Sequence, residues 1–146
     1  EKSEVSDMKQ KFYFDTAIWR DYYEDRSDSS KPIGKLALQL IEKIIRKDNL
    51  ILYSDLVVQE LMIKYTKEEI SSILSIIYNL NLLVKVPISK EQAREAADLC
   101  RKRKIPFADA LHSILARDNK SVMVTRDNHF QKIIDIVETK KPEDIL

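Results

Sequence analysis

Short apolar runs alternate with stretches of helical spacing along the whole chain, and this alternation restricts the fold more than any other feature. Residues 11–15 (KFYFD), 50–53 (LILY), 82–88 (LLVKVPI) and 121–125 (SVMVT) read as strands. Between them, apolar residues recur every three or four positions. Leu36, Leu40, Ile41, Ile44 and Ile45 mark one helix, Val57, Val58, Leu61, Met62 and Tyr65 a second, and Ile70, Ile73, Leu74, Ile76, Ile77 and Leu80 a third. Thr66 with Glu69, and Ser89 with Gln92, have the spacing of capping boxes. Pro106 suits a helix start, and Phe107, Ala110, Leu111, Ile114 and Leu115 form the apolar face that follows. Residues 16–23 read as a short helix or turn, 24–32 (EDRSDSSKP) as an exposed loop, 128–133 as a short helix and 136–139 as an edge strand. Strands alternating with helices predict an α/β fold: a three-layer α/β/α sandwich around a central parallel sheet of four to five strands.

Length and composition narrow the function. A chain of 146 residues suits one domain. Residues 1–7 read as an expression remnant or disordered leader, with Met8 as the native start and 8–146 as the domain. No apolar run approaches the ~20 residues of a spanning helix, so no membrane role is expected. Twenty-five basic and 24 acidic side chains nearly cancel, so net charge does not advertise a polyanion partner. Gly34 is the one glycine, which excludes a Walker A loop or a dinucleotide fingerprint, because both need bare backbone against phosphate. Cys100 is the one cysteine; it excludes an internal disulfide or a CxxC motif and suits a reducing cytoplasm.

The acids carry the chemistry. Asp15 ends the first strand and Asp127 follows the fourth. Parallel strands would place both at one sheet edge, where open α/β sheets bind ligands. Asp109 lies in the first turn of the helix before the fourth strand. That helix runs antiparallel to its strand, so its start reaches the same edge. Glu60, about one and a half turns into its helix, leans over it. Any one of these acids is ordinary as a solvated carboxylate. Several together repel one another unless a cation relieves them, and oxygen donors with few histidines suit Mg²⁺ or Mn²⁺.

FDTAIW at residues 14–19, the helix bearing Glu60, IPFADALH at 105–112 and VTRDNHF at 124–130 resemble the acidic motifs of PIN-domain ribonucleases. The resemblance spans residues 11–139, nearly the whole domain. It implies a five-stranded parallel sheet and metal-dependent RNA hydrolysis, with Asp15, Glu60, Asp109 and Asp127 as the acidic Mg²⁺ or Mn²⁺ site and Thr125 positioning it. Many small members resemble VapC-type toxins. That implies a toxin–antitoxin pair with a small antitoxin partner, a homodimer and an RNA substrate. The alternatives are a stand-alone RNA-processing PIN nuclease or a non-catalytic metal- or protein-binding module. A phosphoacceptor domain built on Asp55 is disfavoured, because its first strand would need an acid pair and has Asp15 alone.

Arg20 and the cations Arg101, Lys102 and Arg103 are candidates for RNA phosphates, and Trp19 and Tyr22 for stacking on bases. His112 is expected to pack or hydrogen-bond at the border of the site, and His129 to cap the turn after Asp127.

Overall fold

A computed structural model describes residues 9–146; the expectations for residues 1–7 and Met8 lie outside these. Five parallel strands, β1 (Lys11–Phe14), β2 (Leu50–Tyr53), β3 (Leu83–Lys85), β4 (Val122–Val124) and β5 (Thr139–Lys140), form one sheet in the order β3-β2-β1-β4-β5. Helices α1 (Thr16–Glu24) and α2 (Ile33–Arg46) link β1 to β2. Helices α3 (Asp55–Leu61) and α4 (Lys67–Asn79) link β2 to β3. Helices α5 (Lys90–Arg103) and α6 (Phe107–Asp118) carry the chain back to β4. Because parallel crossovers are right-handed, reversing the direction of travel across the sheet moves the helices to its other face. The result is the expected α/β/α sandwich.

β1 lies at the centre and shows why its sequence is apolar throughout. Phe12 and Phe14 point to one side, where Phe14 packs at 5.2 Å on Trp19 of α1. Tyr13 points to the other, towards His112 of α6 at 5.4 Å. All three are buried, as a strand covered on both faces requires. Trp19 is wholly buried, so it belongs to the core and is not free to stack on a base.

Both capping boxes are present with reciprocal hydrogen bonds. The third strand is shorter than its apolar run. Val86 N still donates to Tyr53 O at 2.8 Å, but Pro87 has no N–H to continue the ladder. The edge strand begins three residues later than expected, because the chain is still turning at Ile136, whose N–H bonds Ile133 O at 2.9 Å. Phe107 is 42 % exposed, unlike the buried Ala110, Leu111, Ile114 and Leu115 of the apolar face of α6. A short helix, α7 (Pro142–Ile145), was not anticipated. Its Glu143 ion-pairs with Arg126 at 2.7 Å and with Lys31, and these contacts hold its carboxyl down at about 2 against the upward push of burial.

Turns are built almost without glycine. Asp25, Ser29, Asp48, Asn81, Lys104 and Lys120 all adopt positive φ. Gly34 is needed for a different reason, close approach: a Cβ there would lie 2.5 Å from Asp21 O and 2.6 Å from Arg26 N.

Candidate metal centre

The strand order places the site. Travel across the sheet runs from β1 through β2 to β3, then returns to β4 on the far side of β1. The reversal opens a crevice at the C-terminal ends of β1 and β4, the position at which open α/β sheets take ligands. Asp15 and Asp127 flank that crevice.

Asp15 follows β1 directly, and its N–H still bonds Val124 O at 3.0 Å. It occupies the N-cap position of α1, yet its side chain does not cap the helix. Instead its Oδ2 accepts from Thr125 Oγ1 at 2.9 Å. The same Thr125 oxygen accepts from Asp127 N at 3.0 Å. One buried hydroxyl thus ties the first acid to the backbone of the last, 112 residues apart. Asp127 in turn caps the 3₁₀ helix Asn128–Ile133, its Oδ1 accepting from His129 N at 2.9 Å. The cap is therefore Asp127 rather than His129. The His129 ring turns back instead, with Nδ1 3.2 Å from Asp127 Oδ1 and 3.4 Å from Asp109 Oδ2.

Asp109, in the first turn of α6, reaches the crevice as its helix direction requires. Its side chain is only 14 % exposed, so it is not an ordinary solvated carboxylate. Burial, then the charges of Asp127 and Asp15, push its pKa up to about 6. Asp15 is raised too, chiefly by burial, against which His112 and Thr125 pull. Ligand atoms of Asp109, Asp127 and His129 all lie within 4.8 Å of one another. Among the described residues, Asp109 Oδ2 is buried and accepts no hydrogen bond. A buried carboxylate oxygen without a donor, beside two more acids, is the arrangement a hard divalent cation relieves. The residues present fit such an ion.

Glu60 stands at the margin of this group. Its Oε1 accepts from Thr16 Oγ1 at 2.7 Å and meets His112 Nε2 at 2.6 Å. Burial raises its pKa, but those partners outweigh burial and leave it below the ordinary glutamate value. His112 is fully buried and hydrogen-bonded, as expected of it.

The amino-acid pattern across this site is that of a known family, and residues 12–135 match the description of the PIN domain. The chain belongs to the PIN-domain family. Its fold is shared with solved structures of low identity. A chain of the Rickettsia felis VapBC2 complex bound to a promoter DNA fragment is 19 % identical, with a TM-score of 0.66 over 90 % of this chain and 98 % of that one. A chain of VapBC-1 from nontypeable Haemophilus influenzae is 15 % identical, with a TM-score of 0.65 over 92 % and 99 %. A chain of a Klebsiella pneumoniae toxin-antitoxin complex is 20 % identical, with a TM-score of 0.59 over 89 % and 96 %. No curated protein matches the chain in sequence.

The cations expected to meet RNA are mostly engaged within this PIN domain. Arg20 donates to Glu60 O at 3.2 Å. Arg101 ion-pairs with Asp98, and Arg103 grips Asp135 with both nitrogens at 2.6 and 3.0 Å. Lys102 is exposed at the end of α5. Among the described residues, no helix is long and apolar enough to cross a membrane. The side chains that sequence reasoning passed over are Thr16, Tyr13 and Ser54. Tyr13 Oη lies 2.8 Å from Ser54 Oγ and 2.7 Å from His112 Nδ1. Nothing in an aromatic strand distinguishes a tyrosine with interior partners from one that only packs.

Proposed function

We propose that this PIN domain is a divalent-metal-dependent endoribonuclease and the toxin of a toxin–antitoxin pair. The observation that carries the nuclease reading is the buried, donor-less Asp109 oxygen beside Asp127 and within electrostatic reach of Asp15. In this reading Asp15, Asp109 and Asp127 hold Mg²⁺ or Mn²⁺, with Glu60 contributing from the margin through its free Oε2. A divalent ion held by these carboxylates would supply Lewis-acid chemistry for phosphodiester hydrolysis.

The chain's own residues supply order. Thr125 fixes the spacing of Asp15 and Asp127 with one hydroxyl. Capping the 3₁₀ helix orients the Asp127 carboxylate. Burial of Asp15 keeps bulk water from competing for its oxygens. His129, more than half exposed, sits beside Asp127 where the site meets solvent.

The toxin reading draws support from the neighbours, which come from VapBC and toxin-antitoxin complexes. It carries with it a small antitoxin partner in the cytoplasm and a homodimer. Helix α4 leaves Ile76, Tyr78 and Leu80 exposed, apolar surface that a second copy would cover.

Purified protein should cut single-stranded RNA with Mg²⁺ or Mn²⁺ and stop in EDTA, and Asp15→Asn should abolish cutting while the fold survives. Cleavage that persists in EDTA, or at the wild-type rate in Asp15→Asn, overturns the assignment. A small protein encoded beside this chain should copurify with it and suppress cleavage; absence of any such inhibitor removes the toxin reading and leaves the nuclease.

A further inference from the structure

A chain of polar side chains crosses the interior and ends on Glu60. Ser54 Oγ lies 2.8 Å from Tyr13 Oη, Tyr13 Oη 2.7 Å from His112 Nδ1, and His112 Nε2 2.6 Å from Glu60 Oε1. Ser54, Tyr13 and His112 are each 0 % exposed. They come from the end of β2, from β1 and from α6, and Glu60 comes from α3. Three polar groups in a core are costly unless paired with one another, and here each is paired.

We propose that Ser54, Tyr13 and His112 form a positioning relay that locks His112 with its hydrogen on Nε2 and thereby fixes Glu60 in the site. The inference rests on the functional reading above in assigning Glu60 a part in the site. Donor accounting sets the direction. Glu60 Oε1 is an acceptor for Thr16 Oγ1 and for the imidazole, so His112 Nε2 must bear a hydrogen. On a neutral ring Nδ1 then accepts from the Tyr13 hydroxyl and the Tyr13 oxygen accepts from Ser54; on a charged ring both directions reverse. Each hydroxyl donates once and the chain terminates on a carboxylate, the strongest acceptor present. With two donors on Oε1, rotation of the Glu60 carboxylate is restrained, and among the described residues Oε2 takes no hydrogen bond. Tyr13 and Ser54 touch neither substrate nor ion; they act through His112, as outer partners do for metal-site ligands.

The test compares wild type with Tyr13→Phe, His112→Leu and His112→Gln, all as the full chain. Imidazole ¹⁵N NMR without metal should show a protonated Nε2 and an acceptor Nδ1 for the resonance that His112→Leu removes. Tyr13→Phe should fold and keep the hydrogen on Nε2, because Glu60 still accepts it, yet its Nδ1 resonance should move towards that of an acceptor without a donor. In calorimetric titration with Mn²⁺ alone, its affinity should fall about 10- to 100-fold. The kcat for RNA should fall in step while KM stays within about twofold. His112→Gln offers an amide donor and acceptor about as far apart as the ring nitrogens and should recover most of the Mn²⁺ affinity; His112→Leu should not.

A wild-type His112 protonated on Nδ1 alone, or on both nitrogens, overturns the relay. So do Tyr13→Phe and His112→Leu proteins that melt earlier but bind Mn²⁺ as wild type does, since that is a structural role only. If wild type neither binds Mn²⁺ nor cuts RNA, the functional reading fails. The relay is then decided by NMR: Nε2–H in wild type, with the Nδ1 resonance displaced towards an unpartnered acceptor in Tyr13→Phe, supports it, and any other pattern refutes it.

Discussion

Asp109→Asn should stabilise the metal-free protein at neutral pH, although it removes a residue of the proposed site. The Asp109 carboxyl is pushed from an ordinary 3.8 to about 6 by burial and by Asp127 and Asp15. Between those values the folded protein holds a proton that the unfolded chain has released. Stability therefore falls as pH rises from about 4 to about 6 and stays reduced above. At about 1.4 kcal/mol per unit, a shift of roughly two units caps the loss at about 3 kcal/mol. Solvent screening at a partly accessible site cuts this to about 1.5. The carboxylate also gains about 0.5 kcal/mol from the N-terminus of α6, which asparagine forgoes. The net gain for Asp109→Asn is about 1 kcal/mol at pH 7.5, or roughly 3 °C in Tm for a domain of this size.

Urea unfolding in EDTA at pH 7.5 and at pH 4 measures this directly, and the gap should close at pH 4, where wild-type Asp109 is protonated in the folded state. Saturating Mn²⁺ should reverse the order. Binding to the folded state alone adds about 2.7 kcal/mol at 100 times Kd, and the variant would lose most of that. An Asn variant no more stable than wild type at pH 7.5 in EDTA, or a gap that ignores pH, refutes the claim that these acids sit together uncompensated.

Three further perturbations probe other links. Thr125→Val removes a donor to Asp15 and an acceptor for Asp127 N–H; it should cost about 1–3 kcal/mol in a thermal melt and lower RNA cleavage about 10- to 100-fold. Gly34→Ala drives a Cβ into the backbone of residues 21 and 25–26 and should destabilise by about 1–3 kcal/mol in urea unfolding. It should shift the unfolding midpoint without changing Mn²⁺ affinity once folded. Lys120→Gly relieves a φ of 53° just after α6, where glycine is the favoured residue, and should raise stability by about 0.5–1 kcal/mol. An unchanged or lower Tm there would mean that Lys120 is not strained.

The fold was largely legible because each element announces itself locally. Thr66 with Glu69 and Ser89 with Gln92 encode their own helix starts, and LILY encodes a buried strand within four residues. Asp15 and Asp127 were placeable for the same reason, as residues at strand ends. The strand order was not legible, because nothing in a parallel strand names its neighbours. The reversal between β1 and β4 that makes the crevice is therefore a result of the structure. Tyr13 was opaque because its partners lie 41 and 99 residues away. The partners of the cations were legible only in part. Asp98, three residues before Arg101, is a local pair visible in sequence, but Asp135, which holds Arg103, is not. Phe107 follows the helical apolar pattern and is still exposed, while Ala110 in the same turn is fully buried, a difference that periodicity alone does not carry.

One arrangement explains why the acids remain uncompensated in a chain with 25 basic side chains. Arg126 sits between Thr125 and Asp127 and could neutralise the site by reaching across it. Its side chain is instead paired with Glu143 of α7 through both terminal guanidinium nitrogens, at 2.9 and 2.7 Å. Arg20 is spent on the Glu60 carbonyl. Among the described residues, His129 is the one basic side chain within 4 Å of an Asp109 or Asp127 carboxylate oxygen, at 3.4 and 3.2 Å. The C-terminal helix thus does more than close the sheet. By holding Arg126 away, Glu143 preserves the negative charge of the crevice, a stability sacrifice of the kind that functional sites impose.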